Sequence, residues 1–168
     1  MLKILVTPPV TAEHKQLLET AGGLEAEFIY KNADEVDAAL MQEVDILFGN
    51  VAPALVAEAK KLRLLQLFSA GTDGYIPALP EGCALTNTTG AFGLAISEHM
   101  LGMLLMLQKR LHQYRDNQNK HVWQDMGNVT SIEGATVVVL GLGDIGGEFA
   151  RKVKALGAYT IGVRRTDA

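Results

Sequence analysis

The sequence predicts an α/β protein built on parallel sheets, and two patterns carry that prediction. Up to about residue 90, short apolar or β-branched runs alternate with helical stretches, the order that right-handed crossovers between parallel strands require. After residue 135 the order strand, glycine-rich turn, helix and strand appears again, around Gly141-Leu142-Gly143-Asp144-Ile145-Gly146.

The elements follow in order. Lys3-Ile4-Leu5-Val6-Thr7 reads as a strand, and Thr11 caps a helix to about Ala21, with Gly22 and Gly23 as its stop. Residues 25–30 alternate polar and apolar, as a half-exposed strand does. A helix over 34–41, a strand over 45–48, a turn at 50–53, a helix over 54–60, a buried strand over 64–68 and a short strand over 84–87 complete a flavodoxin-like unit. Ligands of such sheets lie beyond the carboxyl ends of the strands. That singles out Asn50 and the turn Ser69-Ala70-Gly71-Thr72-Asp73-Gly74. Its outward amides could hold a carboxylate without a formal positive charge. An ordinary strand-to-loop turn fits the spacing equally well.

Residues 91–115 read as one long helix, buried over 94–107 and polar beyond Gln108. A polar loop over 117–130 holds the single tryptophan, Trp123, expected to be a packing anchor. The run Ala135-Thr136-Val137-Val138-Val139-Leu140 then reads as a buried parallel strand, and 148–156 as a helix stopped by Gly157 before a strand over 159–163. In that setting the G-x-G-x-x-G spacing has a mechanism. Gly141 permits the tight turn, Gly143 lets a pyrophosphate approach, and Gly146 lets helix and strand pack closely. The helix start offers unpaired amides and a positive pole to phosphates. The segment therefore reads as the start of a Rossmann dinucleotide-binding domain.

Composition narrows the function classes. At 48% hydrophobic and 20% charged the chain is that of an ordinary soluble globular protein, and its net charge of −4 argues against nucleic-acid binding. One cysteine, Cys83, allows no internal disulfide and fits a cytoplasmic protein. The first residues are too short an apolar run for a signal peptide. Residues 94–107 carry Glu98 and His99 and fall short of the roughly 20 residues that cross a bilayer. No spacing of His, Cys, Asp or Glu implies a metal. Glu98 and His99 are adjacent on a helix and point apart, so they read as a packed helix start rather than an acid–base pair. His14, His112 and His121 read as exposed. Arg164 and Arg165 are more informative. An acidic residue about 20 positions beyond the glycine motif accepts the ribose hydroxyls of NAD. Here 164 − 146 = 18, and the residue is arginine, suited to a 2′-phosphate. The pair favours NADP over NAD.

Several segments together resemble the D-isomer-specific 2-hydroxyacid dehydrogenases. They are residues 67–74, residues 85–90 running into Ile96-Ser97-Glu98-His99, then Arg110, Trp123, the 141–146 motif and Ala155-Leu156-Gly157. The resemblance covers nearly the whole chain. It implies a two-domain oxidoreductase that moves a hydride between NAD(P) and the C2 of a 2-hydroxy or 2-keto acid. Residues 1–98 would be the N-terminal part of the substrate domain, and 99–168 the first part of the cofactor domain. Amides matching Ala70 and Gly71 hold the substrate carboxylate, with Asn50 contributing nearby, and positions matching Asp144 and Ile145 lie on the cofactor pyrophosphate. Arg164 stands where NAD-type members carry Asp, which resembles the NADP-preferring reductases of glyoxylate and hydroxypyruvate. The long helix and its flanking loop imply a homodimer.

The family's catalytic Arg, Glu and His would all lie beyond Ala168, so no catalytic residue is assigned, and His99 matches a helix position. The chain is expected to be the front half of such an enzyme, inactive by itself. The competing reading is a fragment or nucleotide-binding module without turnover. A flavodoxin-like regulator would lack the acidic cluster of a receiver domain and leave residues 137–146 without purpose.

Overall fold

The computed structural model describes residues 1–23 and 25–165, and the chain divides into two compact units, Met1–Thr89 and Gly90–Ala168. The division precedes the boundary expected at residue 98, which falls inside a helix.

In the first unit, β1 (Leu2–Val6), β2 (Ala26–Tyr30), β3 (Ile46–Phe48), β4 (Leu64–Gln66) and β5 (Ala84–Thr86) form one all-parallel sheet in the order β2-β1-β3-β4-β5. That is the flavodoxin order, in keeping with the flavodoxin-like unit expected. The register aligns Ile29, Leu5, Leu47, Leu65 and Leu85 in one row across the sheet. Leu5, Leu47 and Leu65 are fully buried in it, packed among Met41, Val44 and Val56.

Three helices join these strands: α1 (Ala12–Thr20), α2 (Ala38–Met41) and α3 (Pro53–Ala57). Thr11 caps α1 as expected, its hydroxyl accepting from the His14 amide at 3.2 Å. The helix read over 34–41 is instead split. A 3-10 turn, Ala33–Glu35, gives way to extended backbone at Val36, whose side chain enters the core. Asp37 then caps α2 by accepting from the Leu40 amide at 2.8 Å. The helix read over 54–60 ends at Ala57, because tighter turns follow that bury Ala59 and Leu62.

The second unit holds α4 (Gly93–Gln108), α5 (Leu111–Asn119), β6 (Thr136–Leu140), α6 (Asp144–Ala155) and β7 (Tyr159–Val163). The single helix read over 91–115 is therefore two. Arg110 takes the left-handed conformation (φ 54°) between them, and its guanidinium donates to the Met126 carbonyl. The sequence turns polar beyond Gln108 but has no glycine or proline over 108–115, so tertiary contacts mark the break. Burial over 94–107 is also less than expected: Leu94, Met103 and Leu107 are exposed, and one side of α4 packs while the rest does not.

Strands β6 and β7 pair in parallel from Thr136↔Tyr159 to Leu140↔Val163. Val139, Phe149, Val153, Ile132 and Ala158 form the core between strands and helices, with Leu101, Leu104 and Leu105 packed on it. The predicted stop at Gly157 (φ +88°) is realised as a Schellman ending: Ala158 N–H donates to Val153 O at 3.1 Å and Gly157 N–H to Lys154 O at 3.0 Å. The helix starts earlier than residue 148, directly on the glycine turn. The strand read as buried is buried on one face only. Val138, Leu140, Tyr159, Ile161 and Val163 share the opposite face and are exposed, Leu140 at 82%. Among the described residues no helix is long and apolar enough to cross a membrane.

Candidate functional site

The glycine turn has the geometry its spacing demands. Gly141 lies at φ +95°, where a side chain is strained. A Cβ on Gly146 would sit 1.9 Å from the Gly141 carbonyl oxygen and 3.4 Å from Val139 Cγ1, so helix and strand close together only around glycine. Gly143 has nothing within 4 Å of where its side chain would begin, leaving its backbone open to approach. Gly143 also forms the N-cap of α6, and Gly147 N–H returns to its carbonyl at 2.8 Å. The amides of the first turn, Asp144 to Gly146, have no partner within the helix. This set of donors suits the pyrophosphate of a dinucleotide.

The turn is tied to β7. Gly141 N–H donates to Val163 O at 2.8 Å, which brings Arg164 and Arg165 beside it. Both arginines are exposed, and with Leu140, Gly141, Leu142, Gly143 and Val163 they line one recess of about 450 Å³. Ile145 is half-buried, whereas the exposed Asp144 turns its carboxylate to rest over Gly93 at the start of α4. Sequence reading missed Gly162. A Cβ there would lie 2.1 Å from Leu142 Cδ1, so the loop packs into β7 through a missing side chain. An isolated glycine inside a strand run was the available signal.

The turn of the first unit is built differently. Gly49 (φ +124°) would drive a Cβ to 2.1 Å from Thr7 Oγ1, so β1 and β3 end in close contact. The next residue, Asn50, has its amide group committed. Its Oδ1 accepts from Phe68 N–H at 2.7 Å, and its Nδ2 donates to Ser69 Oγ at 3.0 Å. Ser69 Oγ in turn donates to Gly71 O at 3.0 Å, and Asn87 Nδ2 donates to Ala70 O at 2.8 Å. Tyr75, at the far end, is buried and donates to Val51 O at 2.9 Å. With their carbonyls held, Ala70 and Gly71 are exposed, and their amides donate to nothing among the described residues. Thr7, Pro8, Ala33, Asn50, Phe68 and Ser69 line an adjoining recess of about 220 Å³. Asn87 is the residue whose part in this turn the sequence did not reveal.

Other candidates separate from these turns. Glu98 and His99 are both exposed, so they do not form the packed helix start expected. His14 and His121 are exposed as read, but His112 is half-buried, with Nδ1 lacking a hydrogen-bond partner among the described residues. Trp123 is fully exposed, at 103%, and anchors nothing. It lines a larger recess, about 800 Å³, with Tyr114, Asn117, His121, Val122 and Asp125, which shares no residue with the glycine turn. Burial pushes the Cys83 thiol up, away from an activated nucleophile. The Arg151 hydrogen bond, helped by the Lys152 charge, holds the Glu148 carboxyl below the usual carboxylate range. Among the described residues no group of His, Cys, Asp and Glu could hold a metal.

Comparison with known proteins follows the same lines. Residues 101–168 match the family model described as "D-isomer specific 2-hydroxyacid dehydrogenase, NAD binding domain". The D-3-phosphoglycerate dehydrogenase of Methanocaldococcus jannaschii is 26% identical over 172 residues, which are 96% of this chain and 32% of that protein. A crystal structure of a D-isomer specific 2-hydroxyacid dehydrogenase family protein from Aeromonas salmonicida superposes with a TM-score of 0.82 at 31% identity, covering 98% of this chain and 54% of that one. The D-lactate dehydrogenase of Aquifex aeolicus, solved with NAD and lactic acid, shares the fold at a TM-score of 0.79 and 19% identity, covering 99% of this chain and 52% of that one. The chain thus spans about a third of the length of the curated relatives it matches. A flavodoxin-ordered sheet, a strand–glycine turn–helix unit whose tight points fall on glycines, and these matches agree: residues 101–168 match the NAD-binding domain of the D-isomer-specific 2-hydroxyacid dehydrogenase family, and the chain as a whole is similar to its members.

Proposed function

We propose that the chain is the cofactor- and carboxylate-holding part of an NAD(P)-dependent oxidoreductase acting on the CH–OH group of D-2-hydroxy acids. The observation that carries this reading is Gly146: its Cβ would meet the Gly141 carbonyl oxygen at 1.9 Å, while Gly143 beside it stays open. A bound nicotinamide dinucleotide would supply the hydride donor or acceptor. The residues of this chain bind and orient. Gly141 to Gly146 offer amides to the pyrophosphate, and Ala70 and Gly71 offer amides to a substrate carboxylate. Saturable NADH or NADPH binding, followed by nicotinamide fluorescence, tests it; absence of binding to either overturns it.

NADP is the favoured cofactor in this reading, because Arg164 and Arg165 line the same recess as the glycine turn. In Arg164→Asp, NADPH affinity should fall about tenfold, or ~1.4 kcal/mol, while NADH affinity holds. An unchanged ratio removes the arginine from cofactor choice.

A second reading, binding without turnover by these 168 residues alone, draws on the linings of the two recesses, which among the described residues include no histidine, aspartate or glutamate to act as acid. NAD(P)H-dependent reduction of a 2-keto acid by the purified polypeptide would refute it. We also infer a homodimer through α5 and the loop after it, where Trp123 and Val122 are exposed. Light scattering should give twice the chain mass, and Trp123→Ala should shift it towards monomer.

A further inference from the structure

We propose that Gly93 is a positioning residue for the dinucleotide site: by lacking a side chain, it gives the Asp144 carboxylate a resting place away from the phosphate-facing amides of α6. The proposal rests on the dinucleotide reading of the 141–146 turn.

Gly93 is the first residue of α4 and is buried. Its backbone lies outside the left-handed region, so conformation does not require glycine, and alanine is the better helix former. Space is what glycine supplies. The three atoms nearest to a Cβ built at Gly93 all belong to one side chain: Asp144 Oδ1 at 2.5 Å, Cγ at 2.9 Å and Oδ2 at 3.0 Å. A methyl group would therefore meet that carboxylate first.

The helices themselves are pinned. One turn beyond Gly93, Ser97 is fully buried and accepts from Lys152 Nζ at 2.9 Å, while its own hydroxyl donates to Leu94 O at 2.9 Å. Below them Leu101, Leu104 and Leu105 pack on Phe149 and Val153. With α4 and α6 fixed, the flexible Asp144 side chain has to yield. As the first residue of α6, its other rotamers reach over the open amides of its own first turn. There it would occupy the positive pole that a phosphate uses and repel that phosphate. Over Gly93 it lies instead at the amino end of α4, where an anion is also stabilised.

The test titrates NADH and NADPH against the purified full chain and its Gly93→Ala, Asp144→Asn and Gly93→Ala/Asp144→Asn variants. Gly93→Ala should weaken both cofactors alike, by about three- to tenfold, the size of one charge at a helix end, and rising salt should narrow the gap. Asparagine keeps the shape of aspartate and removes its charge, so the double variant should return to within about twofold of the parent, as charge repulsion at a helix end requires. Thermal midpoints of Gly93→Ala should match or exceed the parent's. Unchanged binding in Gly93→Ala overturns the proposal alone, as does a double variant as weak as the single, or a lowered midpoint. A parent chain that binds neither cofactor overturns the dinucleotide reading, and this proposal with it.

Discussion

The two candidate turns of this molecule are made by opposite means. The turn after β4 is held by side chains: Asn50, Ser69 and Asn87 tie down the backbone of residues 68–71 through three hydrogen bonds, with a fourth joining Asn50 to Ser69, and leave two amides without a partner among the described residues. The turn after β6 is held by missing side chains, since Gly141, Gly146 and Gly162 each occupy a place where a Cβ is strained or collides. Polar scaffolds tolerate trimming in steps, one hydrogen bond at a time. Steric scaffolds have no intermediate setting. The first turn should therefore respond to mutation gradually, and the second abruptly.

Gly146→Ala should give the largest effect. Its methyl meets backbone rather than a movable side chain, so a loss of about 3 kcal/mol, the upper range for overpacking, is expected. Denaturant unfolding with dinucleotide titration reads it. Stability and binding near those of the parent would show that α6 can shift, and would erase the contrast. Asn50→Ala comes next. It leaves Phe68 N–H without its acceptor at an exposed position where water can take the bond, costing about 0.5–1.5 kcal/mol. Binding of a 2-keto acid carboxylate should weaken in parallel, while cofactor binding stays. Equal loss of both would break the assignment of separate turns. Leu140→Thr should do least. It lies on the open face of β6 and should move stability within about 0.5 kcal/mol, yet lower the binding of a hydrophobic dye. A large destabilisation would mean that this face is covered in solution.

The same difference governs what could be read from the sequence. Leu5, Leu47 and Leu65 sit in runs whose apolar content and spacing announce strands, and alternation with helices announces a parallel sheet, while its strand order comes from the structure. The 141–146 motif was equally legible, because a steric requirement leaves glycines at fixed positions. Side-chain scaffolding leaves no such mark. Nothing in Asn87 or Asn50 states that they converge on one turn 17 or 18 residues away. The break at Arg110 was hidden for the same reason: no glycine or proline marks it in the sequence, and the turned backbone is held by a side-chain hydrogen bond to Met126. Gly93 and Asp144 meet because two helices pack together, through an apolar seam and through Ser97 and Lys152, 55 positions apart.

The leucine seated in Gly162 has a further consequence, for fidelity of assembly. The pairing of β6 with β7 is set at its entry, where Gly134 N–H reaches Gly157 O at 3.0 Å and Tyr159 N–H reaches Ala135 O at 2.8 Å. A slip of one residue in β7 would move every side chain to the other face. It would also bring Ile161 or Val163 to the place where Leu142 needs a bare backbone. Entry and exit of the strand pair thus check each other, and a misaligned chain cannot close its glycine turn. The glycine turn forms only on a correctly registered sheet, so under the proposed reading cofactor binding would report on folding as well as on function.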